Sequence, residues 1–246
     1  MEFDAETIEI KDYRDDDGLT IRVMKLRLPP GLDFQYAAGQ FVMLAMDGFA
    51  LHSNPDALKW TSYSLASEPS QKGGLEFCIK LKETNGFTHF LKDHQQLGSK
   101  IKVKGPFGNF NCNHPAKKIL FIAAGTGISP IMSLMRSLLH NGAAPEIFLM
   151  YGFRNTNLFV YREELDQYSK THHNITFIPT QSRPDTKWQG RKGYVQESAK
   201  ELKIEAPHEA CAFICGNPLM VEENKKILLE KGLPAANIHI EQWEGA

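Results

Sequence analysis

Residues 118–130 read KILFIAAGTGISP, and this stretch decides the fold of the second half of the chain. Residues 119–122 form an unbroken apolar run, which is typical of a strand buried on both faces of a parallel sheet. Gly125 and Gly127 then flank Thr126 in a turn that needs backbone freedom and little side-chain bulk. A helical apolar pattern follows at residues 131, 134, 135, 138 and 139.

A strand, a glycine turn and a helix in this order place free N–H groups and a positive helix end beneath a phosphate. The alternative is a tight turn in any α/β protein, since short glycine motifs match by chance. GTGISP also differs from the G-x-G-x-x-G of the common dinucleotide fold. The rest of the chain must therefore decide between the two interpretations.

Composition excludes several classes of function. A net charge of −1 over 246 residues gives no field that favours nucleic acid or a membrane surface. The acidic N-terminus lacks a signal-peptide pattern, and no apolar run is long enough to span a membrane. The four cysteines have no iron–sulfur spacing, and no histidine or cysteine grouping predicts a metal site. We expect a cytoplasmic monomer without nucleic-acid, membrane or metal partners.

Residues 1–112 predict a small antiparallel β-barrel, because many short strand patterns alternate with Gly/Pro turns. The predicted strands cover residues 7–13, 19–28, 41–46, 62–66, 75–81 and 100–104. A short helix is expected at residues 88–92 and a turn at 105–108. A polar connector over residues 111–117 leads to the second domain.

Residues 113–246 predict an α/β domain with a doubly wound, five-stranded parallel sheet, because strand and helix patterns alternate. The strands are expected at 119–123, 146–152, 175–179, 210–215 and 238–242. The helices are expected at 130–140, 161–169, 194–202 and 218–231. Ligands of such sheets bind beyond the carboxyl ends of the strands.

Six motifs occur in order along the chain: AGQF at 38–41, YSLAS at 63–67, GFT at 86–88, GPFG at 105–108, AGTGISP at 124–130 and CGNP at 215–218. Together they resemble the ferredoxin–NADP reductase superfamily over nearly the whole chain. The resemblance implies an FAD-binding barrel, with FMN as the alternative, an NAD(P)-binding domain, and the flavin between them.

The resemblance also implies roles for individual residues toward the flavin. Tyr63 would pack on the isoalloxazine ring, unless it is an ordinary strand aromatic. Ser64 would act catalytically near the flavin N5, and Glu241 would orient Ser64 or relay protons. Trp243 would cover the other face of the ring. The remaining flavin-binding residues would be Leu65, Ala66, Cys78, Ile79, Lys80, Gly86, Phe87 and Thr88.

Two positions depart from the pattern of the superfamily. Thr61 stands where an arginine would pair with the flavin phosphate, and Lys59 is the nearest cation. Neither side chain reproduces the bidentate arginine fork, so the choice of flavin and its affinity stay open. Asn85 holds the expected place of a glycine, and Gly86 lies only two residues before Thr88. Thr88 and the first-turn N–H groups of its helix can still hold a phosphate.

On the nicotinamide side, Gly125, Thr126 and Gly127 would cradle the pyrophosphate. Cys215 would line the nicotinamide pocket as a catalytic residue, unless it is a small buried hydrophobe. The other residues of this motif that would contact NAD(P) are Gly216, Asn217 and Pro218.

Three arginines, expected in loops at one edge of the sheet, resemble the 2′-phosphate ligands of NADP-using bacterial members. They are Arg154, Arg183 beside Ser182, and Arg191. A 2′-phosphate favours such a cluster, so we expect NADPH rather than NADH. The alternative is that they are solvated loop arginines.

We therefore expect a reductase that passes hydride from NAD(P)H to FAD and then electrons to a separate acceptor. The acceptor would be a ferredoxin, a flavodoxin or an oxygenase component, because the chain has no iron–sulfur ligands. One alternative is an NAD(P)H:flavin reductase that uses free flavin as substrate, which Thr61 favours. A second is a regulatory or electron-relay subunit, although such members usually carry a C-terminal cysteine cluster.

Overall fold

The computed structural model describes residues 1–51, 54–71, 73–111, 116–142 and 145–242. The chain divides into two compact units. The first comprises Met1–Asn111 with Met132–Ser137, and the second comprises Cys112–Ile131 with Leu138–Ala246. The predicted boundary between residues 112 and 113 lies outside the described residues.

The first unit is built on a six-stranded antiparallel sheet. Its strands and helix are β1 (Glu2–Arg14), β2 (Thr20–Arg27), β3 (Phe41–Ala45), β4 (Ala50–Leu51), β5 (Asn54–Leu58), β6 (Thr61–Ser64), β7 (Gly74–Leu81), α1 (Phe87–His94) and β8 (Lys100–Phe107). The sheet order is β6-β3-β8-β1-β2-β7, and β4 pairs with β5 separately. A bridge between Leu65 and Phe77 joins the two edges of the sheet, so the barrel closes as predicted.

Strand β7 shows why a barrel forms. Its alternate side chains Leu75, Phe77, Ile79 and Leu81 are all at most 2% exposed and belong to one apolar cluster, as the sequence pattern predicts. Burial of these side chains together with residues of β2, β3 and β8 stabilises the barrel.

Strand β1 begins five residues earlier than predicted, because charges on its outer face hide the strand pattern. Glu2, Asp4 and Glu6 form ion pairs with lysines of β8. The predicted turn at residues 105–108 is wrong, since β8 continues through Phe107. A Cβ at Gly105 would lie 2.9 Å from Val42 Cγ1, so this glycine allows the close approach of a neighbouring strand.

The second unit contains a six-stranded parallel sheet with helices. Its elements are β9 (Lys118–Ala124), α2 (Ile128–His140, except Met132–Ser137, which belong to the first unit), β10 (Glu146–Phe153), α3 (Arg162–Thr171), β11 (Ile175–Gln181), β12 (Arg191–Lys192), α4 (Val195–Glu201), β13 (Ala210–Gly216), α5 (Pro218–Glu230) and β14 (Ile238–Gln242). The prediction of five strands missed β12. A two-residue edge strand carries no hydrophobic period that a sequence could reveal.

The sheet order β12-β11-β10-β9-β13-β14 contains one reversal. The chain runs outward from β9 through β12 and then returns to the other side of β9 as β13. This is the topological switch point, beyond which ligands of doubly wound sheets bind. The turns that follow β9 and β13 therefore occupy the expected binding position.

The barrel offers a direct test of its backbone packing at Gly39. This residue has φ +86°, and a Cβ there would lie 1.7 Å from the carbonyl oxygen of Phe110. Gly73 is a matched control, since its φ is +89° and a Cβ would meet no atom within 4 Å. The left-handed conformation costs about 1–3 kcal/mol for alanine at either site. We expect Gly39→Ala to lose a further 1–3 kcal/mol or so, as in overpacked cores.

Urea unfolding followed by circular dichroism measures both free energies of unfolding. Equal losses for Gly39→Ala and Gly73→Ala would contradict the close approach of Gly39 to Phe110.

Candidate active site

The aromatic residue of the flavin motif lies beside helix α1. The Tyr63 ring centroid is 6.0 Å from that of Phe87, the first residue of α1, and burial raises the pKa of Tyr63. Ser64 ends strand β6 and is 4% exposed. The structure thus brings Tyr63 and Phe87 together, and it places Ser64 next to them along the strand.

Helix α1 presents an N-terminus suited to a phosphate. Gly86 is its N-cap with φ +86°, no side chain caps the helix, and its first turn holds no acidic residue. The N–H groups of the first turn have no partner within the helix and carry the positive end of its dipole. Thr88 Oγ accepts the Lys82 N–H at 3.1 Å, which leaves the hydroxyl proton available as a donor. These residues fit a flavin phosphate.

Asn85 compensates for the displaced glycine of this motif. Its φ is +60°, in the left-handed region where asparagine is the best-tolerated residue after glycine. The backbone turn before α1 therefore forms although the glycine has moved by one position. The sequence reveals the substitution but not the conformation that makes it acceptable.

Of five other predicted flavin residues, four have buried side chains and one is exposed. Leu65 and Ala66 are fully buried, and their N–H groups donate to backbone carbonyls of Gln40 and Glu76. Cys78 and Ile79 are also buried in β7, and burial, with the Glu76 charge nearby, raises the pKa of the Cys78 thiol. Contact of these four with a cofactor would run through their backbone. Lys80 is exposed.

The glycine turn of residues 125–127 is fixed by its neighbours on both sides. A Cβ at Gly127 would lie 2.2 Å from the Cys215 carbonyl oxygen, so only glycine permits this approach. From β10, the hydroxyl of fully buried Tyr151 donates to the Gly125 carbonyl at 3.2 Å. The turn and the first N–H groups of α2 form a cradle without side-chain bulk, which fits a dinucleotide pyrophosphate. Sequence reasoning missed the role of Tyr151, because its partner is a backbone atom of another strand.

The end of β13 completes this edge of the sheet. A Cβ at Gly216 would lie 2.2 Å from Met220 Cε, so the Met220 side chain would have to move to admit it. Asn217 caps α5 by accepting the Met220 N–H at 3.0 Å, and Pro218 is the first helical residue. These residues bring the start of α5 next to the glycine turn.

Cys215 and Glu241 are register neighbours on β13 and β14, so their side chains share one face of the sheet. Cys215 is fully buried, as the alternative of a small hydrophobe predicts, whereas Glu241 is half-buried. The catalytic roles assigned to them stay predictions. Trp243 lies outside the described residues.

Two of the three arginines lie together at the carboxyl edge. The Arg183 N–H donates to the Arg154 carbonyl at 2.7 Å, and the Ser182 N–H donates to the Phe153 carbonyl at 2.9 Å. These bonds continue the pairing of β10 with β11 past the strand ends.

The prediction that Arg191 lies in a loop is wrong, since it is part of β12. Its guanidinium pairs with Glu201 of α4 at 2.5 Å, and this hydrogen bond raises the pKa of Arg191 and lowers that of Glu201.

Two kinds of feature are absent from the described ranges. No three His, Cys, Asp or Glu side chains among them come close enough to hold a metal ion. None of the helices described combines the length and the apolar character that crossing a bilayer requires.

A helix N-terminus suited to a phosphate on a β-barrel, together with a glycine cradle at a sheet switch point, is typical of a flavin oxidoreductase that uses a nicotinamide dinucleotide. Family models agree with this class. Residues 18–112 match an oxidoreductase FAD-binding domain, and residues 121–226 match an oxidoreductase NAD-binding domain. The chain belongs to the ferredoxin–NADP reductase family.

Individual relatives cover most of the chain. Ferredoxin–NADP reductase B of Sorangium cellulosum is 30% identical over 235 residues, which cover 91% of this chain and 92% of the relative. The phenol 2-monooxygenase reductase component of Pseudomonas sp. strain CF600 is 29% identical over 95% of this chain, which spans 66% of that relative. The structure of a ferredoxin NADP⁺ reductase from Neisseria gonorrhoeae with bound FAD and NADP shares the fold. Its TM-score is 0.78 at 20% identity, and the match covers 98% of each chain.

The cradle predicts a large effect of a single methyl group. We expect Gly127→Ala to weaken NADP⁺ and NAD⁺ binding by about tenfold or more, a loss of roughly 1.4 kcal/mol or greater, because the turn must move away from Cys215. Gly142→Ala is the matched control. It lies in the same unit at φ +65°, where a Cβ would meet no atom within 4 Å.

Isothermal titration with each nucleotide gives the dissociation constants, and the absorbance of bound flavin reports whether the variant still folds. Unchanged binding by Gly127→Ala would remove the cradle from the nucleotide site.

Proposed function

We propose that this protein is a reductase that oxidises NADPH and delivers electrons through its flavin to a separate ferredoxin or oxygenase component. The observation that carries the proposal is the glycine cradle held between Tyr151 and Cys215 at the switch point of the sheet. The names of the relatives support the two kinds of acceptor, since one is a ferredoxin–NADP reductase and the other serves a monooxygenase.

A bound flavin supplies the redox chemistry, since it accepts two electrons from a nicotinamide and can release them to a one-electron acceptor. The chain supplies binding and orientation. Tyr63 offers an aromatic face, and Ser64 offers a hydroxyl that can donate or accept a proton in a hydrogen bond. The α1 N-terminus holds the phosphate end of the cofactor.

On the nucleotide side, Gly125–Gly127 bind the pyrophosphate and Cys215 borders the nicotinamide. Glu241, next to Cys215 on the same sheet face, relays or holds a proton.

The preference for NADPH is supported by Arg154 and Arg183. Their backbones are joined by a 2.7 Å hydrogen bond at the carboxyl edge of the sheet, so the two residues are neighbours there. Two guanidinium groups there suit a dianionic 2′-phosphate, which NADH lacks. Arg191 contributes less, because Glu201 competes for its guanidinium.

Thr61 favours a second candidate function, in which free flavin is a substrate rather than a resident cofactor. The side chain at this position is neutral, so the phosphate is held by fewer charges and the flavin exchanges more readily. This function uses the same nucleotide site and the same fold.

An absorption spectrum of the purified, desalted protein distinguishes the two candidates. We expect flavin bands that bleach on anaerobic addition of NADPH and bleach more slowly with NADH. A colourless protein that oxidises NADPH once free flavin is added would establish the second candidate. A colourless protein without any NADPH oxidation would overturn both.

The nucleotide preference is tested by Arg183→Ala with Arg191→Ala for comparison. We expect Arg183→Ala to raise the KM for NADPH about tenfold or more, because a hydrogen bond to a charged group contributes about 1.5–3 kcal/mol. The KM for NADH should stay within about twofold of wild type. Arg191→Ala should change the NADPH value less, since its loss also frees Glu201.

Steady-state kinetics with both nucleotides measure these values. Equal changes for NADPH and NADH in Arg183→Ala would contradict a 2′-phosphate contact.

A further inference from the structure

Residue 61 is a neutral threonine, whereas the resemblance to the ferredoxin–NADP reductases implies an arginine at this position. Thr61 and Tyr63 lie two residues apart on β6, so their side chains share one face, and Tyr63 contacts Phe87 at the start of α1. A flavin nucleotide carries one or two phosphates, whereas a helix N-terminus provides only about half a positive charge. A neutral Thr61 therefore leaves most of the phosphate charge uncompensated.

Lys59 precedes Thr61 by two residues and packs against Phe49. Its N–H donates to the Phe49 carbonyl at 3.2 Å, and its Nζ lies 5.5 Å from the centroid of the Phe49 ring. The ring of Phe49 in turn packs against those of Phe87 and Phe90, both at centroid distances of 5.4 Å. The ammonium group is thus held above an aromatic ring that rests on the first turn of α1.

The same packing is visible in the residue before Phe49. A Cβ at Gly48 would lie 3.3 Å from Phe90 Cζ, so the loop backbone itself lies against the helix. Phe49 is only partly buried, which leaves the cation above it near solvent. Such a cation–π contact holds an ammonium in place without neutralising its charge.

Two other lysines of this unit are paired with carboxylates. Lys92 of α1 lies 2.7 Å from Glu83, and Lys102 lies 3.2 Å from Asp4. Among the side chains that the structure describes, no carboxylate pairs with Lys59. The cation–π contact leaves the ammonium charged, and a charged ammonium attracts an anion at the α1 N-terminus.

We propose that Lys59 binds the phosphate of the flavin nucleotide, in the place of the arginine that Thr61 replaces. This inference rests on the proposed flavin site, and it adds a residue that determines which flavins bind. An ammonium is a point charge that makes no bidentate pair, so it holds the phosphate less tightly than an arginine fork does. Selectivity for FMN and FAD over riboflavin, which has no phosphate, depends on this residue.

The test compares three flavins on the full-length apoprotein. Quenching of flavin fluorescence gives dissociation constants of riboflavin, FMN and FAD for wild type, Lys59→Met and Lys59→Arg. We expect Lys59→Met to bind FMN and FAD about tenfold more weakly or worse, with riboflavin within about twofold. Lys59→Arg should bind FMN at least as tightly as wild type, because it keeps the positive charge.

The matched control is Lys11→Met, since Lys11 lies over the Tyr13 ring at 5.0 Å on the barrel surface. It should bind all three flavins as wild type does. An equal loss for riboflavin, FMN and FAD in Lys59→Met would show a packing role and overturn the proposal. So would unchanged FMN binding. If wild type bound none of the three flavins, the flavin function itself would fail, and this result is distinct from both others.

Discussion

The close approach of Gly127 to the backbone of Cys215 is the constraint on which the nucleotide site depends. It requires β9 and β13 to be neighbours in the sheet, and that adjacency exists only because the chain reverses its direction of winding after β12. The same approach holds the glycine turn against the start of α5. A tight backbone contact thus converts a topological property of the sheet into a concave surface with free N–H groups.

Helix α1 of the first unit is fixed from its other end. The guanidinium of Arg22, which is 7% exposed, makes a two-point pair with Asp12 and donates to the Leu91 carbonyl at 3.1 Å. A buried cation at the C-terminal turn stabilises the helix dipole there. The first turn contains no acidic residue and has no side-chain cap, so the helix itself does not neutralise its positive end. This asymmetry between the two helix ends supports the proposed phosphate site at the α1 N-terminus.

The sequence predicted most strands and helices because their hydrophobic periods are strong, as in Leu75–Leu81 and residues 119–123. The prediction failed where residues that resemble a loop or turn pattern serve contacts between strands. The charges of β1 belong to an ion-pair ladder with β8, and Gly105 marks a close approach of two strands rather than a turn. The pairing of Arg191 with Glu201 depends on how β12 and α4 pack, and no local signal encodes it. Strands and helices with strong hydrophobic periods were therefore predictable, whereas the partners that side chains find in other elements were not.

The two candidate functions share one fold and differ only in how tightly the flavin is bound. A flavin with a nanomolar dissociation constant stays bound through purification, whereas one with a micromolar dissociation constant exchanges. The two binding free energies differ by about 4 kcal/mol. One or two charge-assisted hydrogen bonds, at about 1.5–3 kcal/mol each, account for that difference. The barrel core, the α1 N-terminus and the glycine cradle are common to both functions. The charge carried by residues 59 and 61 is therefore sufficient to decide whether the flavin is a resident cofactor or a substrate.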